Sequence, residues 1–184
     1  MSIATNSTTD QLIDELYKVE GKAEIVEGRI VMMSPTGDLP SSAAFAIATS
    51  LKAHAKRVGG RAYPDNAAFL VNLPNRTSFS PDAAYYTGPR TGAKFLQGPP
   101  VFAAEVRSES DHSPAANRKI AAKRADYFAA GTKVVWDVDV LHQETVSVYR
   151  ADSPDVPTIY RRGEMAEAEP AVPGWTFPVD ELFE

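Results

Sequence analysis

The chain contains no cysteine, which excludes disulfides and thiolate metal ligands and is compatible with a reducing compartment. Its three histidines, His54, His112 and His142, show no metal-ligand spacing. His54 falls on a polar helix face and the other two in loops, so all three are expected to be solvated. No apolar run approaches the length of a bilayer crossing. The stretch MSIATNSTTDQLIDELYKVEG has no apolar segment behind a basic start, so neither a signal peptide nor a membrane partner is expected and the cytoplasm is the expected location. An excess of cations is also missing. The 19 basic and 24 acidic residues give a net charge of -5, which argues against coating nucleic acid non-specifically but leaves room for a local basic groove. No serine sits in a G-x-S-x-G elbow, so a serine hydrolase has no nucleophile here.

What is present suits one domain spanning 1–184. At 43% hydrophobic, the 184 residues can bury a core. Residues 1–10 are expected to be flexible. TTDQLIDELYKV places Leu12, Leu16 and Val19 at helical spacing behind capping residues. AEIVEGRIVMMSP reads as a hairpin around Glu27-Gly28, and Ser41 to Val58 as an amphipathic helix closed by Gly59-Gly60. RAYPDNAAFLVN, FSPDAAYY and VFAAEVRS follow as three strands. A second long helix, Ala115 to Ala130, stops at Gly131 and leads to the strands KVVWDVDV and TVSVYR. Residues 151–184 form a β-rich extension. The expected class is α/β, of the α+β kind, with Trp136 and Trp175 serving packing.

The stretch VFAAEVRSESD places Glu105 inside a strand that is otherwise apolar. A carboxylate where water is scarce needs a cation, hydrogen-bond donors or a metal. Alternation puts Glu105 on one face with Val101, Ala103 and Arg107, and in FSPDAAYY puts Asp82 with Ser80, Ala84 and Tyr86. If the two strands are neighbours, Asp82 and Glu105 converge into an oxygen-rich pocket suited to a hard divalent cation. The alternative is a partly buried ion pair, Glu105 with Arg107 or Asp82 with an arginine. Lys123 lies at the flank of the stripe formed by Ile120, Arg124, Tyr127 and Phe128. There a lysine is expected to snorkel along the edge of the stripe. Basic groups gather at Lys52, Lys56, Arg57 and Arg61, and again at Arg118, Lys119, Lys123 and Arg124, as phosphate contacts or as solvated faces.

SPD (Ser80 to Asp82), 22 intervening residues, then EVR (Glu105 to Arg107) resembles the motif of the PD-(D/E)XK nuclease superfamily. The finer similarity is to its Uma-two branch of bacterial restriction-endonuclease-like proteins, a domain of unknown function. That branch shows an EG hairpin ending in SP, a PD strand, an E-V-x-S strand, a helix with K-x-x-x-Y-x-x-x-G, and a strand with W-x-V-D. Here these are EGRIVMMSP, SPDAAYY, EVRSESD, KRADYFAAG and VVWDVD, followed by VSVYR, so the resemblance covers Ile25 to Arg150.

The resemblance implies a restriction endonuclease-like core over about 25–150: a central mixed sheet flanked by helices, with an N-terminal hairpin and C-terminal β pieces added. It implies a metal-dependent endonuclease acting on phosphodiesters, most readily of DNA. Asp82, Glu105 and the carbonyl of Val106 would hold Mg²⁺ or Mn²⁺. The lysine of the motif is replaced by Arg107, which cannot act as a base because it does not lose its proton. The branch supplies a lysine from the following helix, which maps to Lys123. Glu27 is a further candidate from the hairpin, or a plain turn residue. Relatives carry a histidine after the SP turn, where this chain has Ser41 and Ser42. That departure, the arginine and the acidic balance favour the alternative, a catalytically degenerate copy kept as a nucleic-acid or protein binding module. A homodimer would match the two strands of a duplex.

Overall fold

Glu27 and Gly28 adopt φ of 50° and 70°, the left-handed pair that a two-residue hairpin requires. They join β1 (Ala23–Val26) to β2 (Arg29–Met32) antiparallel. The computed structural model describes residues 4–184, with side chains from residue 8 onward. Helix α1 (Ala4–Leu16) starts inside the stretch expected to be flexible, and residues 1–3 lie outside the described residues. Its Leu16 packs on Ala23 and Ile25.

Two long helices follow their punctuation. Helix α2 (Asp38–Val58) closes at Gly59. Helix α3 (Pro114–Ala130) starts where the Ser113 hydroxyl accepts the Ala116 N–H at 3.1 Å, with Pro114 in the first turn, and ends at left-handed Gly131. Among the described residues no helix is long and apolar enough to cross a membrane.

The remaining strands are β3 (Arg61–Pro64), β4 (Phe69–Leu73), β5 (Arg76–Phe79), β6 (Ala83–Tyr86), β7 (Leu96–Gln97), β8 (Phe102–Val106), β9 (Val134–Asp139), β10 (Thr145–Arg150), β11 (Ser153–Arg161), β12 (Met165–Glu167) and β13 (Thr176–Pro178). A 3₁₀ turn, Val179–Phe183, closes the chain. A six-stranded mixed sheet runs β11-β10-β9-β8-β6-β3, parallel only at β8–β9, where α3 makes the crossover. A five-stranded sheet runs β2-β1-β5-β4-β7, and β12 pairs with β13.

Two stretches expected as single strands are each divided between the sheets. RAYPDNAAFLVN turns at Asn66, whose φ is 66°, so β3 and β4 lie in different sheets. FSPDAAYY breaks at Pro81, which has no N–H for a ladder, so β5 ends at Phe79 and β6 starts at Ala83. Asp82 therefore sits at the junction of the two sheets.

Pleating sorts the six-stranded sheet's side chains. Ala83, Tyr85, Phe102, Ala104, Val134 and Trp136 join α2 in the larger core. Ala84, Tyr86, Ala103 and Val135 face the other way and pack with Phe69, Phe79 and Tyr127. Trp136 and Trp175 stack at 5.0 Å on the α2 side, as packing residues. His54 is not solvated. It is 3% exposed, because α2 is covered both by the sheet and by the C-terminal segment around Val172 and Trp175. His112 is mostly buried too, stacked 3.8 Å from exposed His142.

Trp136 has no exposed surface. Trp136→Ala is expected to cost about 3–5 kcal/mol in urea unfolding. Val156→Ala, at a position 73% exposed, should stay within about 0.5 kcal/mol of wild type.

Candidate active site

Strand register brings the two motif carboxylates together. Ala83 pairs with Ala104 and the ladder is antiparallel, so Asp82 lies opposite Glu105 on the face toward α3. The Asp82 N–H donates to the Ala104 carbonyl at 3.1 Å, and Asp82 Oδ2 accepts the Val106 N–H at 2.7 Å. Helix α3 presents Lys123 and Tyr127, one turn apart, to the same carboxylate. Lys123 Nζ stands 2.8 Å from Glu105 Oε1 and 2.9 Å from Oε2, and the Tyr127 hydroxyl donates to Oε1 at 2.6 Å.

The side-chain cation on Glu105 is thus a lysine, and the alternative pairing with Arg107 does not form. Arg107 lies past the end of β8 and grips Asp137 with two bonds of 2.7 Å, while Nη1 donates to Asn117 Oδ1 at 2.6 Å. It shares with Glu105, Lys119 and Lys123 the wall of a cavity of about 210 Å³. Asp82 lines a second cavity of about 140 Å³ with Asp65, Ser41 and Phe45. Ser41, where relatives were expected to place a histidine nearby, therefore does face the site.

Glu27 is not brought to this centre. It sits on the exposed hairpin tip with its carboxylate on Arg29. The hairpin's contribution is Glu24, 3% exposed, which the sequence reading passed over. Alternation along β1 sends Ala23 and Ile25 toward Leu16 and Glu24 the other way. There it accepts from Arg76 at 2.6 Å and the Ser80 N–H at 2.8 Å, and pairs with Lys123 at 2.9 Å. Lys22 was also missed. It bonds Asp82 Oδ1 at 2.6 Å and Asp65 at 2.7 Å. The available signal was an acidic residue inside an apolar strand, AEIV, the same anomaly that singled out Glu105.

Electrostatics follow from this packing. Burial raises the proton affinity of Glu105, Lys123 opposes this, and Asp82 adds to it, so the carboxyl titrates above its ordinary range. Burial disfavours charged Lys123, but Glu105 and Glu24 outweigh it and keep the ammonium. Burial and then Glu105 push the Tyr127 phenol well up, so it remains a donor. Burial acts against ionised Glu24, yet Lys123 and Arg76 hold it below the ordinary value.

With this geometry in view, the sequence profile described as "Uma2: Putative restriction endonuclease" matches residues 10–180. The chain belongs to the Uma2 family. Membership supports a nuclease-like function. No curated protein matches the sequence. The fold is shared with the crystal structure, at 1.96 Å resolution, of "a putative nuclease belonging to DUF820 from Anabaena variabilis ATCC 29413". The two are 18% identical with a TM-score of 0.72, over 94% of this chain and 97% of the other.

In this Uma2 chain the donors suit a hard cation by chemistry, since Asp82 and Glu105 offer carboxylate oxygens on facing backbone positions. Charge count agrees. Lys22, Arg76 and Lys123 face the carboxylates of Glu24, Asp65, Asp82, Glu105 and Asp126, a deficit of positive charge at the centre. Among the described residues no group of three or more acidic or histidine side chains is arranged to hold a metal by itself, so main-chain oxygen or water would complete the shell.

Glu24→Gln leaves Arg76 and Lys123 short of a counter-charge and is expected to cost about 3–5 kcal/mol near neutral pH. The folded pKa of Glu24 lies below its ordinary 4.5, so its contribution is complete above that pH and disappears as pH falls through the folded value. Urea titrations across pH should show the variant and wild type converging in acid.

Proposed function

We propose that this protein is a metal-dependent endonuclease that hydrolyses phosphodiester bonds, with DNA as substrate. The observation that supports it is the meeting of Asp82 and Glu105 across β6 and β8, with Lys123 seated on Glu105. Asp82, Glu105 and the Val106 carbonyl would hold Mg²⁺ or Mn²⁺. When bound, such a cation polarises the scissile phosphate and lowers the pKa of a water.

The protein's own groups set the stage for that chemistry. Tyr127 and Lys123 fix both oxygens of Glu105, so the carboxylate is oriented before substrate arrives. Lys123 stays protonated and acts as a fixed positive donor toward phosphate or water oxygens, not as a base. Arg107 takes the motif position usually given to lysine. Its bidentate bond to Asp137 holds it at the cavity wall, where its charge offsets the negative charge that grows on the phosphate. Exposed Arg118 and Lys119 extend this positive edge along α3 toward a nucleic-acid backbone. Two copies, one for each strand of a duplex, would complete a double-strand cut.

The commitment of Arg107 to Asp137 and Asn117 also suits the second reading, a degenerate copy that binds without cutting. Cleavage of supercoiled plasmid and of single-stranded DNA, with Mg²⁺, Mn²⁺ or EDTA, separates the two. The nuclease reading expects metal-dependent cutting, abolished by Asp82→Asn and Glu105→Gln and slowed by about a hundredfold or more in Lys123→Met. Tyr127→Phe should lose about ten- to a hundredfold through misorientation of Glu105. A folded wild type that cuts neither substrate with either metal, or an Asp82→Asn variant that cuts normally, sinks the reading.

A further inference from the structure

Lys22 stands one residue before β1, where the Met33 N–H bonds its carbonyl at 2.9 Å and fixes the backbone. Its side chain, 14% exposed, ends between two carboxylates: Asp82 Oδ1 at 2.6 Å and Asp65 Oδ1 at 2.7 Å. The other oxygen of Asp82 already accepts the Val106 N–H at 2.7 Å. The oxygen of Asp82 left for a cation is therefore the one that an ammonium already holds. An ammonium and a divalent ion on one oxygen repel each other strongly in a site this poor in water.

Asp65 offers the way out. It lies on the turn between β3 and β4, 46% exposed, and lines the 140 Å³ cavity with Asp82. A lysine has three donors on a flexible stem and can release one carboxylate while keeping another. We propose that the Lys22 ammonium is an internal stand-in for the divalent cation, occupying Asp82 until metal arrives and then withdrawing onto Asp65. The proposal rests on the reading of Asp82 and Glu105 as a metal pocket. It adds that the pocket is latched: cation affinity is set by competition with Lys22, which in the ion-free protein offsets part of the charge of Asp82 and Asp65.

The test is calorimetric titration of Mn²⁺ into wild type, Lys22→Met, Lys22→Gln, Asp65→Asn, the Lys22→Met/Asp65→Asn double variant and Asp82→Asn, each confirmed folded by circular dichroism. Removing the competitor should tighten Mn²⁺ binding about tenfold in Lys22→Met, and in Lys22→Gln as well. Asp65→Asn should weaken it, because Lys22 loses its second partner, and the double variant should bind like Lys22→Met. A double variant as weak as Asp65→Asn would make Asp65 a metal ligand and overturn the exchange. If Lys22→Met and Lys22→Gln bind no more tightly than wild type while Asp82→Asn loses binding, the metal pocket stands and the latch is wrong. If no folded protein in the series takes up Mn²⁺, the metal pocket itself fails and the latch with it.

Discussion

Buried carboxylates have to be matched by cations, and that requirement knits this molecule together. Glu24 from the hairpin sheet, Glu105 from the central sheet and Lys123 from α3 meet within hydrogen-bond distance, and Arg76 ties Glu24 in turn to Asp126 on α3. Each charge is unfavourable in a dry environment alone and tolerable only in company. The network therefore locks the relative placement of the two sheets and the crossover helix. The same locking holds the oxygens of Glu105 in one orientation, so the demands of folding and the geometry of the site are satisfied by one set of contacts.

Much of this could be read from the chain where short-range chemistry decides. The Glu27-Gly28 turn, the Ser113 cap, the Gly131 stop and the apolar strands all announce themselves through propensity and period. The juxtaposition of Asp82 and Glu105 was legible in part, because alternation assigns each a face and the resemblance of SPD and EVR to a nuclease motif implies that their strands are neighbours. Lys123 was visible as a flank residue, and its one-turn relation to Tyr127 explains why both reach the same carboxylate.

What escaped the sequence depends on contacts between distant segments. Glu24 and Glu27 are three residues apart and carry the same side chain, and only the pairing of β1 with β5 makes the former interior and the latter a turn tip. Lys22 looks like any exposed lysine until the turn after β3 brings Asp65 beside it. His54 reads as solvated on a helical wheel that omits the C-terminal segment folded over α2. Pro81 is a different lesson. Period-two alternation was correct on either side of it, but proline's missing N–H transferred the chain to another sheet between two residues that share a pattern.

The division of the central sheet into two faces has an optical consequence. Both tryptophans of the chain lie in the cluster on the α2 face, whereas Tyr127, stacked 3.9 Å from Phe79, lies on the face that carries the carboxylates. Tryptophan emission thus reports first on the packing of the α2 face. Tyrosine absorption, through a phenol bonded directly to Glu105, is the chromophore placed to sense events at the acidic centre.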